Sequence, residues 1–297
     1  METYRDLKKL IEPNYPGLFD SIQNKIKKAE KDYEKPGGKD QDSFLWEHSV
    51  FVAAVALKIC FIEEEDPFLP VIAALFHDIG KFEGGRYHDN NIPEEKTSAR
   101  IALEIMASFG LQKSDIDLVT AGLTALYDKE IENNYITDII HDADFLSKTG
   151  YLGVANFFLK SAIRGQNLYT SLSKNLSREL TYASVLSGNM KTLAGKKLAV
   201  KRSRDLRLYF EGLIQELRDL NIVRFEKREE TLPCPQKTGE DLKFVLVFPE
   251  TCPSCAEGLR PEYSFVQGIK CTELSVLISC VNCPSTIRMS FCLPEIL

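Results

Sequence analysis

Cysteine is almost missing from the first 230 residues of this 297-residue chain, where Cys60 stands alone, and the whole chain has only four histidines. A disulfide framework is therefore excluded as the basis of that part of the fold. Long hydrophobic runs are also lacking. The best candidate for a membrane span, FVAAVALKICFI at 51–62, is shorter than the roughly 20 residues a bilayer requires and carries Lys58 in its middle. The opening METYRDLKKLIEPNY mixes charges and has no apolar stretch of the kind that directs secretion. The expectation is a soluble, cytoplasmic protein without a membrane partner. An excess of positive charge is absent as well, with 37 Lys and Arg against 43 Asp and Glu and a net charge of -6, so affinity for nucleic acid resting on overall charge is excluded. No internal repeat or extended low-complexity tract occurs.

What is present is an ordinary soluble composition, 44% hydrophobic and 27% charged, in a chain long enough for one large domain or two smaller ones. Residues 1–43 are expected to form an N-terminal helical extension closing in a turn at Pro36, Gly37 and Gly38. From Phe44, apolar residues recur at three- and four-residue spacing: Trp46, Val50, Ala53, Ala54 and Leu57 first. Segments 69–80, 97–109, 114–127, 137–148 and 151–163 continue the pattern, with Ser114 and Asp117 as a helix-start pair and Gly110 and Gly150 at helix ends. A last long helix is expected from about Leu198 to Leu220. After Asn221 the character changes to short β-rich runs such as KFVLVF, EYSFVQ, CTELSVLIS and TIRMSF. The predicted fold class is mainly α, a helical bundle over 44–221 followed by a small β-rich domain over 222–297.

The scarce histidines carry the first chemical signal. His48 stands in LWEHSVFVAAVAL, His77 and Asp78 end the apolar run FLPVIAALFHDIGKF, and Asp142 and Asp144 lie in IIHDADFL. One histidine on an apolar face is ordinarily a satisfied core residue. Several such residues on separate apolar helices need partners, and a shared divalent cation satisfies all of them at once. Two imidazoles and two carboxylates form a mixed N/O set suited to Mn²⁺, Fe²⁺, Co²⁺, Ni²⁺ or Zn²⁺.

This order of residues resembles the HD-domain metal-dependent phosphohydrolase superfamily, whose pattern is H…HD…D on a helical bundle. The matching residues are His48, His77 with Asp78, and Asp144, and the resemblance runs over about 44–220. Within the superfamily the chain is similar to the small bacterial HD hydrolases that cleave nucleotide phosphates. DADFLSKTGYLG and the stretch Lys191 to Arg202 carry that similarity, while Phe145 and Ser147 replace the branch's Arg and second Asp. The resemblance implies His48, His77, Asp78 and Asp144 as ligands of one divalent metal (Mg²⁺ joins the candidates above), with a metal-activated water cleaving a phosphate ester or anhydride of a nucleotide-like small molecule. It implies Asp78 and Lys81 as catalytic residues and Lys81, Lys148 and Arg202 as substrate contacts. Some relatives have a glutamate where this chain has Lys81, and a lysine there suits a phosphate oxygen. Arg202 matches the branch's arginine, and a guanidinium can hold a phosphate bidentately. Asp142, two residues before Asp144, points away from the ligand direction, so a supporting role is expected for it. Glu94 and the loop residue His88 do not complete a second metal's ligand set. The alternative readings are a phosphodiesterase or nuclease of the HD type and a nucleotide-sensing regulatory protein.

The remaining seven cysteines fall between 234 and 292. Cys252 with Cys255 and Cys280 with Cys283 form two C-x-x-C pairs separated by 24 residues. A redox role needs one pair, whereas two pairs supply the four thiolates of a closed tetrahedral site. The pattern resembles a zinc ribbon and implies a structural Zn²⁺. Cys234, Cys271 and Cys292 are expected as free thiols and Cys60 as core. Residues 222–297 contain 8 Lys or Arg and 10 Asp or Glu, which argues against a surface that tracks nucleic-acid phosphates. This module is read instead as a site for homo-oligomer formation, for a protein partner, or for covering the catalytic cleft.

Overall fold

The structure is a computed structural model that describes residues 2–33, 44–83, 93–128, 130–234, 241–267 and 272–292. The Pro36–Gly38 turn, His88 and Cys271 lie outside the described residues. The described chain forms ten helices followed by five strands, in two compact units: residues 1–147 with 190–198, and residues 148–189 with 199–297.

In the first unit, α1 (Glu2–Ile11) and α2 (Leu18–Tyr33) are amphipathic and bury Leu7, Ile11, Phe19, Ile22 and Ile26. Burial at intervals of three or four residues follows from the helical repeat. Helix α3 (Phe44–Glu63) is apolar all round and is the centre of the unit, packed by α4 (Phe68–Phe76) and α7 (Tyr135–Ser147). By length and composition it could cross a membrane, but its apolar residues, among them Val52, Ala53, Ala56 and Ile59, are buried in the protein. Phe61 and Ile62 are the exceptions: with Glu47 and Lys58 they lie on the one face of the helix left exposed. Helices α5 (Glu94–Ser108) and α6 (Lys113–Ala125) pack as a pair beside α4.

The helix expected over 69–80 ends at Phe76. Residues beyond it turn through three-residue hydrogen bonds, Ile79 N to Phe76 O and Lys81 N to Asp78 O. Gly80 permits this because a Cβ there would lie 2.9 Å from the Glu94 carbonyl oxygen and the Ser98 nitrogen of α5. Helix α6 starts before Ser114, with Gln112 at its N-cap and no side-chain cap, so the expected Ser114 and Asp117 pair is not formed.

The second unit contains α8 (Gly150–Ile163), α9 (Leu168–Asn189), most of α10 (Leu193–Asp219) and all five strands. Strands β1 (Phe225–Pro233) and β2 (Asp241–Pro249) pair antiparallel, and β3 (Leu259–Gln267), β4 (Thr272–Cys280) and β5 (Thr286–Cys292) form an antiparallel meander. KFVLVF is apolar on both faces because β2 lies between two cores. Val245 and Val247 join Phe157, Leu176 and Phe210 of the helices, while Phe244, Leu246 and Phe248 join Leu274, Val276 and Phe291 of the meander. This explains why the unit begins at 148 and not at the expected 222: β1 and β2 share a core with α8, α9 and α10.

Helix α9 was not distinguished in the sequence because Ser and Thr interrupt its apolar pattern. Those hydroxyls bind the edge of β2. Val245 N donates to Thr181 Oγ1 (2.9 Å) and Val247 N to Ser177 Oγ (2.8 Å); the Ser177 hydroxyl donates to the Val247 carbonyl, and the Thr181 hydroxyl donates to the Ser177 carbonyl at 2.8 Å with the Val245 carbonyl at 3.3 Å. A strand edge is thus satisfied by helix side chains. Thr181→Val is expected to leave the buried Val245 N–H unpaired and to lower stability by about 1–3 kcal/mol in chemical denaturation, with little effect on metal binding.

Candidate metal centre and four-cysteine cluster

His48 comes from α3, His77 and Asp78 from the turn after α4, and Asp144 from α7. His77 Nδ1 lies 2.7 Å from the Ala74 carbonyl oxygen. A carbonyl only accepts, so Nδ1 carries the proton and Nε2 presents a lone pair. That atom is buried, has no hydrogen-bond partner among the described residues, and faces Asp78 Oδ2 at 3.5 Å and Asp144 Oδ1 at 3.8 Å. His48 Nε2 lies 3.6 Å and 3.1 Å from the same two oxygens. Ligands about 2.1 Å from a shared cation stand roughly 3.0–3.4 Å apart, so these donor atoms fit a divalent metal with modest contraction. His48, His77 and Asp78 also form a compact candidate ligand group by themselves. All four expected ligands are therefore brought together.

Electrostatics hold the set in its ligating state. Burial opposes charge on Asp78, but His77 when protonated, Lys81, and His48 when protonated keep its carboxyl well below the usual carboxylate range. Lys81 Nζ is 2.9 Å from Asp78 Oδ2 and 3.5 Å from Glu94 Oε1. Burial and the negative Asp78 push the Glu94 carboxyl up to about 7, against the opposing effect of Lys81.

Tyr127 is a site residue that the sequence did not reveal. It lies just after α6 with φ of 69° and donates its hydroxyl to Asp144 Oδ2, leaving Oδ1 toward the histidines. Half of the tyrosine is exposed, but at its hydroxyl desolvation first, then Asp144, raises the phenol's pKa above its ordinary value, so it remains a donor. A tyrosine in left-handed backbone costs on the order of 1–3 kcal/mol and is retained where surrounding contacts fix it. Tyr127→Phe is expected to weaken divalent-metal affinity by about 10–100-fold while leaving the fold intact, as checked by calorimetric titration with Mn²⁺.

Asp142 has the expected supporting role. It is fully buried and accepts from Lys191 N, Thr192 N and Thr192 Oγ1, each at 2.8 Å, and it lies 3.0 Å from His141 Nδ1. It thereby ties α7 to the start of α10. A Cβ on Gly195 would stand 2.1 Å from Asp142 Oδ2, which explains the glycine inside a helix. Gly195→Ala is expected to cost several kcal/mol by displacing this carboxylate, read as a lowered Tm. Lys148 and Arg202 belong to the second unit, where Arg202 is half-buried beside Gly150 and burial lowers its pKa.

In the second unit, Cys252, Cys255, Cys280 and Cys283 converge. Their Sγ atoms are 3.5 Å apart for 252 and 283, 3.4 Å for 255 and 280, and 3.7 Å for 255 and 283. A disulfide requires about 2.05 Å. Four thiolates at about 2.3 Å from a tetrahedral ion stand about 3.8 Å apart, so the cluster fits a metal. Both pairs have the same local form: Ser254 N points to Cys252 Sγ and Asn282 N to Cys280 Sγ, each at 3.4 Å. Cys60 and Cys234 are buried free thiols, as expected. Cys292 is instead disulfide-bonded. It ends β5 opposite Glu273 at the beginning of β4, which sets it apart from the thiol cluster.

Residues 45–143 match the family model of the HD domain. No curated protein matches the chain. Among solved structures, an HD superfamily hydrolase from an uncultured Thermotogales bacterium is 20% identical, with 66% of this chain and 91% of that chain covered and a TM-score of 0.47. Bacillus subtilis YpgQ is 22% identical, with coverages of 68% and 97% and a TM-score of 0.47. An HD-superfamily hydrolase from Bacillus thuringiensis is 21% identical, with coverages of 68% and 98% and a TM-score of 0.48.

Proposed function

We propose that this chain, which carries an HD domain in residues 45–143, is a metal-dependent phosphohydrolase acting on a phosphate ester or anhydride of a nucleotide-like small molecule. The observation that carries the reading is the convergence of two imidazole nitrogens and two carboxylate oxygens, with His77 Nε2 buried and aimed at both carboxylates. A divalent cation held by His48, His77, Asp78 and Asp144 would supply Lewis-acid polarisation of a phosphoryl oxygen and a water of lowered pKa. Lys81, already against Asp78, provides positive charge beside the carboxylates, where a phosphate oxygen would otherwise be repelled. Lys148 and Arg202 are retained in this proposal as further phosphate contacts. The four cysteines hold a structural zinc; a cytoplasmic setting is kept in this proposal on the sequence reading, although the Cys292 disulfide does not support it.

The test is release of phosphate and pyrophosphate from nucleoside mono-, di- and triphosphates with Mn²⁺, Ni²⁺, Co²⁺ or Mg²⁺, beside Asp78→Ala. Metal-dependent turnover by the parent and none by a folded variant supports the hydrolase and identifies its leaving group. A folded, metal-loaded parent inactive on phosphate monoesters, anhydrides and diesters overturns it, and tight nucleotide binding without turnover selects a sensor.

A further inference from the structure

His141 is the one histidine among the described residues that the metal site does not use. Its Nδ1 lies 3.0 Å from Asp142 Oδ1. Asp142 already accepts two backbone N–H groups and the Thr192 hydroxyl in full burial, so it acts toward the ring as an acceptor. Nδ1 is thereby assigned as the donor, and Nε2 of the neutral ring has a lone pair to offer. The carboxylate has enough donors without the imidazole. The pairing therefore serves chiefly to orient the ring.

The position of that ring connects it with the metal centre. His141 precedes Asp144 by three residues on α7, so the two side chains leave neighbouring faces of the helix. Tyr127 touches both: its hydroxyl binds Asp144 Oδ2, and its ring centroid is 6.2 Å from that of His141. Phe145 packs on His141 with centroids 4.8 Å apart. The His141 side chain is 15% exposed whereas Asp142 has no exposure, so the imidazole reaches solvent while its Nδ1 edge is anchored inside. An imidazole fixed by a carboxylate, with its other nitrogen open, is the arrangement of a general base.

Other residues near the centre are less suited to this task. His48, His77, Asp78 and Asp144 direct their donor atoms at one another, and Lys81 is paired with Asp78 and Glu94. We infer that His141 is the proton-transfer residue of the site, oriented by Asp142 and acting on the water that attacks phosphorus; this rests on the phosphohydrolase reading. In the step, the water oxygen forms a bond to phosphorus and the bond from phosphorus to the leaving oxygen breaks. The water's proton passes to His141 Nε2, which returns it to the leaving oxygen.

The experiment compares full-length, metal-loaded parent with His141→Gln, His141→Ala and Glu94→Gln on the phosphate compound the parent cleaves best. Expected for both His141 variants is a loss in kcat of about 10²–10⁴-fold with KM changed by no more than a few-fold. Unchanged Mn²⁺ affinity by calorimetry and partial recovery of His141→Ala turnover by added imidazole are also expected. Nitrogen NMR of histidine-labelled parent should report His141 protonated at Nδ1, and with four histidines in the chain the resonance is assignable by its loss in the variants. Unchanged kcat in both His141 variants, lost Mn²⁺ affinity in them, or lack of imidazole rescue overturns the assignment, as does a comparable loss only in Glu94→Gln. A parent inactive on every phosphate compound fails earlier and overturns the phosphohydrolase reading with it, so the two failures are distinct.

Discussion

Asp144→Asn should abolish metal-dependent turnover and, in the metal-free protein, leave stability unchanged or raise it. The two effects have one cause. His77 Nε2 presents a lone pair to Asp78 Oδ2 and Asp144 Oδ1, and His48 Nε2 lies 3.1 Å from Asp144 Oδ1. Without a cation, the carboxylates of Asp78 and Asp144 share one small buried space and repel each other, an arrangement that opposes folding. Asparagine has nearly the same shape, can accept from the Tyr127 hydroxyl through its oxygen, and can donate its amide toward the histidines. It relieves the repulsion and removes an anionic ligand.

The cation contributes several kcal/mol of transition-state stabilisation, so loss of its binding should reduce kcat/KM by about 10³-fold or more. In thermal melts, Mn²⁺ at about 100 times its Kd should stabilise the parent by about 2.7 kcal/mol and leave the variant nearly unmoved. The melting order of parent and variant is therefore expected to cross between chelator and metal. A variant that is destabilised in chelator and still shifted by Mn²⁺ would contradict the ligand assignment.

The sequence made this centre legible because its ligands are polar exceptions on apolar helices. α3 and α4 are mostly apolar, so His48 and His77 stood out against valine, alanine and isoleucine. Asp144 was legible through DADFL. Tyr127 was not, because nothing in ALYDKE reveals that residue 127 adopts left-handed backbone and reaches a carboxylate 17 positions away. That relation is set by how α6 and α7 pack, which periodicity does not encode.

The β-rich segment teaches the complementary lesson. Composition changes at Asn221, but packing does not respect that change, since Val245 and Val247 share a core with Leu172, Leu176 and Phe210. A strand buried on both faces looks in sequence like the start of a new domain, while its second face can complete the previous helices. Likewise, Ser177 and Thr181 weaken a helical pattern when read alone, although in the fold they supply the hydrogen bonds of a strand edge. Local patterns thus identified most elements other than α9 and missed the partners that make polar residues favourable inside.

Cys280→Ser, or removal of the bound ion by a strong chelator, should unfold the β3–β5 meander while leaving the α3–α7 unit folded. The meander has three short strands, and one face supplies Leu274, Val276, Ile278, Met289 and Phe291 to a shared core with β2. Its other side is exposed at Glu262, Ser264, Val266, Arg288 and Ser290, and on the core side Tyr263 is only partly buried. Such a sheet gains too little from apolar burial to offset its ordering entropy. The two knuckles join the segment after β2, at Cys252 and Cys255, to the turn between β4 and β5, at Cys280 and Cys283, so one ion pins the end of the meander where β3 begins and β4 passes into β5. Structural zinc in comparable four-ligand sites contributes an apparent 10–16 kcal/mol, and losing one thiolate should forfeit several of these. The expected result is release of about one zinc per chain by chelator, appearance of proteolytic cuts within 251–292, and loss of strand signal with helical signal retained. Cys60→Ser and Cys234→Ser, which remove thiols outside the cluster, should leave zinc content unchanged. Full zinc content in Cys280→Ser, or a protected meander after complete zinc removal, would show that hydrophobic packing alone holds these strands.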